Sequence, residues 1–198
     1  MRAVATSTLE ASSSTGPKLE NVLYEKRNGI AYVTINRPKA LNVLNAPTWK
    51  DLRAAFEDVR DDVAVHGAIL TGAGDEAFIA GADIAEPATL ASSGAAQVGS
   101  FGQDVLDLVE NLGKPVIAAV NGFALGDGCE AAMACTFRVA VERASFGHID
   151  ALEALRIGLV DEIVPAADLI PRAEAVLQQI ASNAPIAVDA ALSSKRVA

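Results

Sequence analysis

The sequence predicts a layered α/β fold. Two observations carry that expectation. Short apolar or β-branched runs alternate with stretches whose apolar residues recur at i, i+3, i+4 and i+7. Several of the short runs are apolar throughout, as strands covered on both faces are. At 198 residues and 20.4 kDa the chain suffices for one domain with a sizeable core. Its 51% hydrophobic and 21% charged residues argue against disorder of the whole chain.

Met1 to Pro17 holds one Arg among short residues interrupted by Thr, Ser and Glu10, with no continuous apolar stretch. Residues 1–18 are therefore expected to be a disordered tail before a single domain over 19–198. Val22-Leu23-Tyr24 and Ile30 to Ile35 read as strands around Asn28-Gly29, a hairpin signal. Asn45-Ala46-Pro47 offers a cap and a first-turn proline for a helix whose Leu52, Ala55, Phe56 and Val59 form one stripe. Ala68-Ile69-Leu70 is a buried strand running into Thr71-Gly72-Ala73-Gly74.

The pattern then recurs. Val105, Leu108, Val109 and Leu112 form a second stripe stopped by Gly113, and Pro115 to Val120 is a strand before Asn121-Gly122. Leu125 to Cys135 reads as a glycine-opened helix, Phe137 to Val141 as a strand, Ala151 to Arg156 as a short helix and Ile163-Val164 as a strand end. Asp168 is expected to cap a last helix bearing Ala173, Val176, Leu177 and Ile180, which Asn183-Ala184-Pro185 breaks.

Sixteen Lys+Arg against 25 Asp+Glu leave a net charge of −9 and a pI near 4.7. Nucleic-acid and anionic-membrane binders need a basic face, so neither partner is expected. No apolar run approaches the roughly 20 residues that span a bilayer. Cys129 and Cys135 have no His or Cys partner at zinc-like spacing, so free thiols, no metal and a reducing, cytoplasmic setting are expected.

Three stretches are unusual for mere scaffold: Ile35 to Asn42, Ala77 to Ile84 and Ala118 to Glu130. In the last, a strand enters Gly-x-Gly and then a helix, so free amides at the helix start face whatever occupies the turn and favour negative charge there. The Gly81-Ala82 loop offers a second amide. Two convergent amides make an oxyanion hole, suited to an acyl carbonyl that becomes enolate-like. Glu130 in the first helical turn is then a general acid or base, or alternatively a residue that complements the helix dipole. Phosphate binding is disfavoured, because neither Gly-x-Gly-x-x-Gly nor the Gly-Lys-Ser/Thr ending is present.

These segments resemble the crotonase (enoyl-CoA hydratase/isomerase) superfamily from about Leu19 to about Ser194, most closely its enoyl-CoA hydratases. The resemblance rests on Asn36-Arg37-Pro38, the Ala-Gly-Ala-Asp loop at 80–83, the Gly-Cys-Glu helix start at 128–130, Ala144 to Gly147, and Ala154 to Val160. It implies a crotonase-like spiral of ββα repeats, a homotrimer or hexamer, and an acyl-CoA thioester substrate. It implies no cofactor, since coenzyme A enters with the substrate. By the same resemblance Ala82 and Asp127 supply the oxyanion amides and Glu130 the first catalytic glutamate. Ala40, Ala80, Ala82, Asp83, Ile84, Ala85 and Gly126 match substrate-binding positions. The reaction implied is addition of water to a trans-2-enoyl thioester.

Two departures bear on activity. Asp127 stands where the family carries glycine; its carboxylate is adverse beside an oxyanion, and a positive φ there would be strained, unless the side chain turns away as a helix cap. After Phe146-Gly147 the family continues with Gln-Pro-Glu, whose glutamate is the second catalytic carboxylate, then a glycine-rich loop and a helix. Here Gly147 is followed by His148. Asp150 is expected to be structural and His148 incidental. The family's further C-terminal helices are also not matched. The sequence thus leaves three outcomes open: a hydratase, another reaction of the family such as isomerisation or thioester hydrolysis, and an inactive CoA-thioester-binding or assembly subunit.

Overall fold

The structure, a computed structural model, describes residues 17–83 and 92–194. The expected tail over 1–18 lies almost wholly outside them. The chain begins with β1 (Val22–Arg27) and β2 (Ile30–Ile35), which pair antiparallel across Asn28-Gly29. Both turn residues have positive φ, 52° and 75°, the backbone that lets a two-residue turn follow the twist of its strands. Helix α1 (Ala46–Asp61) follows, its start fixed by Asn45, whose side chain accepts a hydrogen bond from the Thr48 amide at 3.0 Å. The expected stripe of Leu52, Ala55, Phe56 and Val59 is buried, and α1 packs against β1 and β2.

Three units of one design come next, each a long strand, a short strand and a helix. The first is β3 (Gly67–Gly72), β4 (Ala77–Ile79) and α2 (Ser92–Glu110). The second is β5 (Val116–Val120), β6 (Phe123–Ala124) and α3 (Asp127–Ala134). The third is β7 (Phe137–Val141), β8 (Ser145–Phe146) with an added β9 (Ile149–Asp150), and α4 (Ala151–Arg156). A final strand, β10 (Glu162–Val164), leads into α5 (Leu169–Ala181) and α6 (Pro185–Ser194).

The long strands assemble as one sheet, β1-β2-β3-β5-β7-β10, parallel from β2 onward; the short strands form a second, β4-β6-β8-β9. This is the expected ββα spiral. Parallel crossovers stack each unit on the last, so equivalent joints recur along one edge. Every residue of β5 is buried, and α5 packs on β3, β5 and β7 through Ala173, Val176 and Leu177.

Several local expectations are corrected. Strand β4 has only three residues, too few for a periodicity signal. Of the expected stripe, Val105, Leu108 and Val109 lie in the last part of α2, whose upstream residues are mostly small or polar, and the helix ends at Glu110, before Leu112. Leu106 is buried there and Leu108 only half-buried. Helix α3 starts at Asp127 rather than Leu125, because Leu125 is still bonded to the end of β4. Asp168 holds the cap position of α5, but its side chain makes no capping bond, since a 3-10 turn over Ala166–Asp168 leads into the helix. The break at Asn183-Ala184-Pro185 is followed by a new helix, α6.

Candidate active site

The three sequence stretches singled out above meet at the ends of β2, β4 and β6. Two buried asparagines hold the joints. Asn42, in a left-handed conformation with φ 57°, accepts from the Arg37 amide at 3.0 Å and donates to the carbonyls of Ala73 and Ala77 at 3.0 and 2.8 Å. Asn121 donates to the carbonyls of Gly72 and Gly74, both at 2.9 Å, and accepts from the Gly72 amide at 3.2 Å. Neither was expected as a site residue. Asn121 carried a signal, a polar side chain at the end of the apolar run Val116–Val120, where a turning backbone leaves groups to satisfy.

The loop that carries Ala82 is held from the β2 side. The Leu44 amide donates to the Gly81 carbonyl and the Asp83 amide to the Leu44 carbonyl, both at 2.9 Å. In such a parallel bridge the intervening Ala82 directs its own N–H to the other side. Arg37 reinforces the loop: it bonds the Asp83 carboxylate at 2.9 Å and the Val43 carbonyl at 2.6 Å. Asp83 is thus engaged by Arg37, and Arg37 is a structural clamp rather than a free cation. Ala80 bonds the Leu41 carbonyl, and Ala40 lies half-buried in the 3-10 turn Pro38–Ala40. Ile84 and Ala85 lie outside the described residues.

Helix α3 begins in contact with that loop. A Cβ on Gly126 would lie 3.9 Å from the Cα of Gly81, and one on Gly81 would lie 3.3 Å from the Leu125 carbonyl oxygen. Gly126, with φ 51°, takes the left-handed turn that opens the helix; Asp127 itself does not have positive φ. The backbone strain feared at Asp127 is therefore absent, because the glycine before it makes the turn.

In the first turn the amides of Gly128, Cys129 and Glu130 bond the carbonyls of Leu125 and Gly126. The Asp127 amide has no backbone acceptor among the described residues. Burial first, then the nearby Glu130 charge, raise the Asp127 carboxyl above its ordinary range, partly offset by its own backbone amide. Glu130 is exposed, and its Oε2 accepts from Gln103 Nε2 of α2 at 2.9 Å.

The chain closes directly where the resemblance implies a second glutamate. Strands β8 and β9 pair Ser145 with Asp150 and Phe146 with Ile149 across Gly147-His148, with φ 64° at Gly147. Asp150 accepts from the Glu153 amide at 2.8 Å and so caps α4, a structural role as expected. His148 sits exposed at the hairpin tip.

Cys129 is half-buried and Cys135 buried, both free; burial pushes the Cys135 thiol to about 12. Among the described residues no group of three His, Cys, Asp or Glu is placed to hold a metal, and no helix is long and apolar enough to cross a membrane.

Stacked ββα units with a loop and a helix start touching at one edge define a crotonase-like α/β protein. The family model for enoyl-CoA hydratase/isomerase matches residues 25–151. The chain is 41% identical over 206 residues to a short-chain-enoyl-CoA hydratase of Clostridium acetobutylicum, covering 86% of this chain and 79% of that protein. It is 40% identical over 204 residues to a crotonyl-CoA hydratase of Syntrophomonas wolfei, covering 85% and 78%. The crystal structure of an enoyl-CoA hydratase from Bacillus anthracis superposes with a TM-score of 0.86 at 30% identity, covering 89% of this chain and 83% of the other. The chain belongs to the enoyl-CoA hydratase/isomerase family. Each alignment is longer than the stretch of this chain it covers, so these relatives carry internal residues with no counterpart here.

Proposed function

We propose that this protein is an enoyl-CoA hydratase, a lyase that adds water across the double bond of a 2-enoyl-CoA thioester. The observation that carries the reading is the contact between the Ala82 loop and the start of α3, with Glu130 in that helix's first turn. In this reading Glu130 takes a proton from water as the water oxygen bonds C3. The C2–C3 π electrons shift toward the thioester, and its carbonyl oxygen gains negative charge. The Ala82 and Asp127 amides stabilise that oxygen. Glu130 then returns the same proton to C2, so one carboxylate serves as base and acid. In the same reading Ala40, Ala80, Ala82, Asp83 and Gly126 line the thioester's path.

The reading needs no metal or redox cofactor, because the proton and the electron pair stay within substrate, water and Glu130. We place the protein in a reducing cytoplasm, consistent with its free thiols, as a homotrimer or hexamer. The decisive experiment compares wild type with Glu130→Gln on crotonyl-CoA, following 3-hydroxybutyryl-CoA and free coenzyme A. Hydration by wild type and its loss in the variant are expected. Unchanged turnover in Glu130→Gln overturns the assignment.

A second reading has its own support: the half-buried Asp127 carboxylate stands beside the proposed oxyanion amide, and β8 and β9 close where a second glutamate would stand. An inactive CoA-thioester binder fits those two facts. It predicts that wild type binds crotonyl-CoA and forms neither product.

A further inference from the structure

The geometry points to Gln103 as the residue that positions Glu130 for proton transfer. This rests on the hydratase reading above and assigns the site a part from a different unit of the spiral.

Glu130 is exposed on the first turn of α3, where a glutamate side chain is otherwise free to sample several rotamers. A carboxylate that must collect a proton from water and return it to carbon gains from a fixed orientation. Gln103 supplies that restraint. Its Nε2 donates to one oxygen, Oε2, at 2.9 Å, which leaves Oε1 for water.

The helix that carries the donor is held firmly. One residue before it, Gly102 is buried against Trp49 of α1, so closely that a Cβ there would lie 3.1 Å from the indole. Phe101 packs near the Arg53 guanidinium, 5.5 Å from ring centroid to charge. Val105, Leu106 and Val109 anchor the following turns in the core. Helix α2 is thus clamped on α1 and packs on α3, with Gln103 on its outward side.

The chemistry of the donor also fits. An amide is neutral, so it orients the carboxylate without the full positive charge of a lysine or arginine, which would make Glu130 a poorer base. The bond joins two exposed side chains, where hydrogen bonds contribute little to folding. Its contribution is to orientation rather than to stability.

The test measures kcat and KM for crotonyl-CoA hydration by wild type, Gln103→Leu, Gln103→Glu, Gln103→Asn and Glu130→Gln, with thermal unfolding of each. Gln103→Leu is expected to lower kcat about 10- to 100-fold, the scale of a misplaced catalytic group, with KM and unfolding temperature nearly unchanged. Gln103→Glu keeps the size, loses the donor and adds a repelling charge, so it should fall at least as far. Gln103→Asn keeps the amide on a shorter arm and should recover part of the loss. Loss of activity in Glu130→Gln with wild-type kcat in Gln103→Leu or Gln103→Glu overturns this inference alone. Full activity in Glu130→Gln, or no hydration by wild type, overturns the hydratase reading and this inference with it.

Discussion

A Cβ on Gly128 would lie 2.0 Å from the carbonyl oxygen of Ile79, so the first turn of α3 rests directly on the end of β4. That approach sets how near the start of α3 comes to the Ala82 loop, because β4 runs into that loop at Ala80. A side chain as small as a methyl group would force the two segments apart.

Gly128→Ala is therefore expected to destabilise the fold by about 1–3 kcal/mol, the usual scale of overpacking against backbone. It should lower activity further than that loss of stability explains, since the displaced helix carries both Asp127 and Glu130. Gly99→Ala in α2 is the control, because a Cβ there meets nothing within 4 Å. It removes a helix-interior glycine and should stabilise by about 0.5–1 kcal/mol. Denaturant unfolding of both variants checks the pair; equal effects would refute the packing argument.

Asn121 is buried and satisfies the carbonyls of Gly72 and Gly74 at the joint between β3 and β4. Asn121→Ala leaves these without that donor and should cost about 1–3 kcal/mol. Asn121→Asp is expected to be worse at neutral pH, since a carboxylate there would face carbonyl oxygens. The two unfolding midpoints, compared at the same pH, decide the order.

Asp127 gives a pH-dependent prediction. Its folded-state carboxyl lies above the ordinary value of 3.8, chiefly through burial and then through Glu130. The folded chain thus holds this proton more tightly than the unfolded chain does. Stability at this site is full below the ordinary value, falls as pH rises through the window up to the raised folded value, and stays reduced above it. Asp127→Asn should match wild type in unfolding temperature near pH 3 and exceed it at pH 7. An equal offset at both pH values would exclude the titration of Asp127 as the cause. In the same position Asp127→Gly removes a carboxylate beside the proposed oxyanion amide, and kcat should rise by about tenfold or more.

Much of this was legible in the chain. The stripe of Leu52, Ala55, Phe56 and Val59, the Asn28-Gly29 turn and the apolar run of β5 each encode their element locally, because amphipathic period and turn chemistry depend on neighbours in sequence. Glu130 and the Ala82 loop were legible through motifs spanning a few residues. Strand β4 was not, because three residues hold no period and pair only after the spiral closes. The capping expected of Asp168 failed for a related reason: a preceding turn, set by the path from β10, governs that helix start.

The sequence alone determined the α/β class, the family resemblance, the glycine that opens α3 and the short link at Gly147-His148. Only the tertiary structure decided what those features do together. It put the positive-φ turn on Gly126 and left Asp127 helical, gave Arg37 to Asp83, made Asp150 a helix cap, and brought Gln103 from α2 to Glu130 on α3. The reason is physical: periodicity and turn chemistry act over a few residues, whereas each of those partnerships depends on packing that no short window contains.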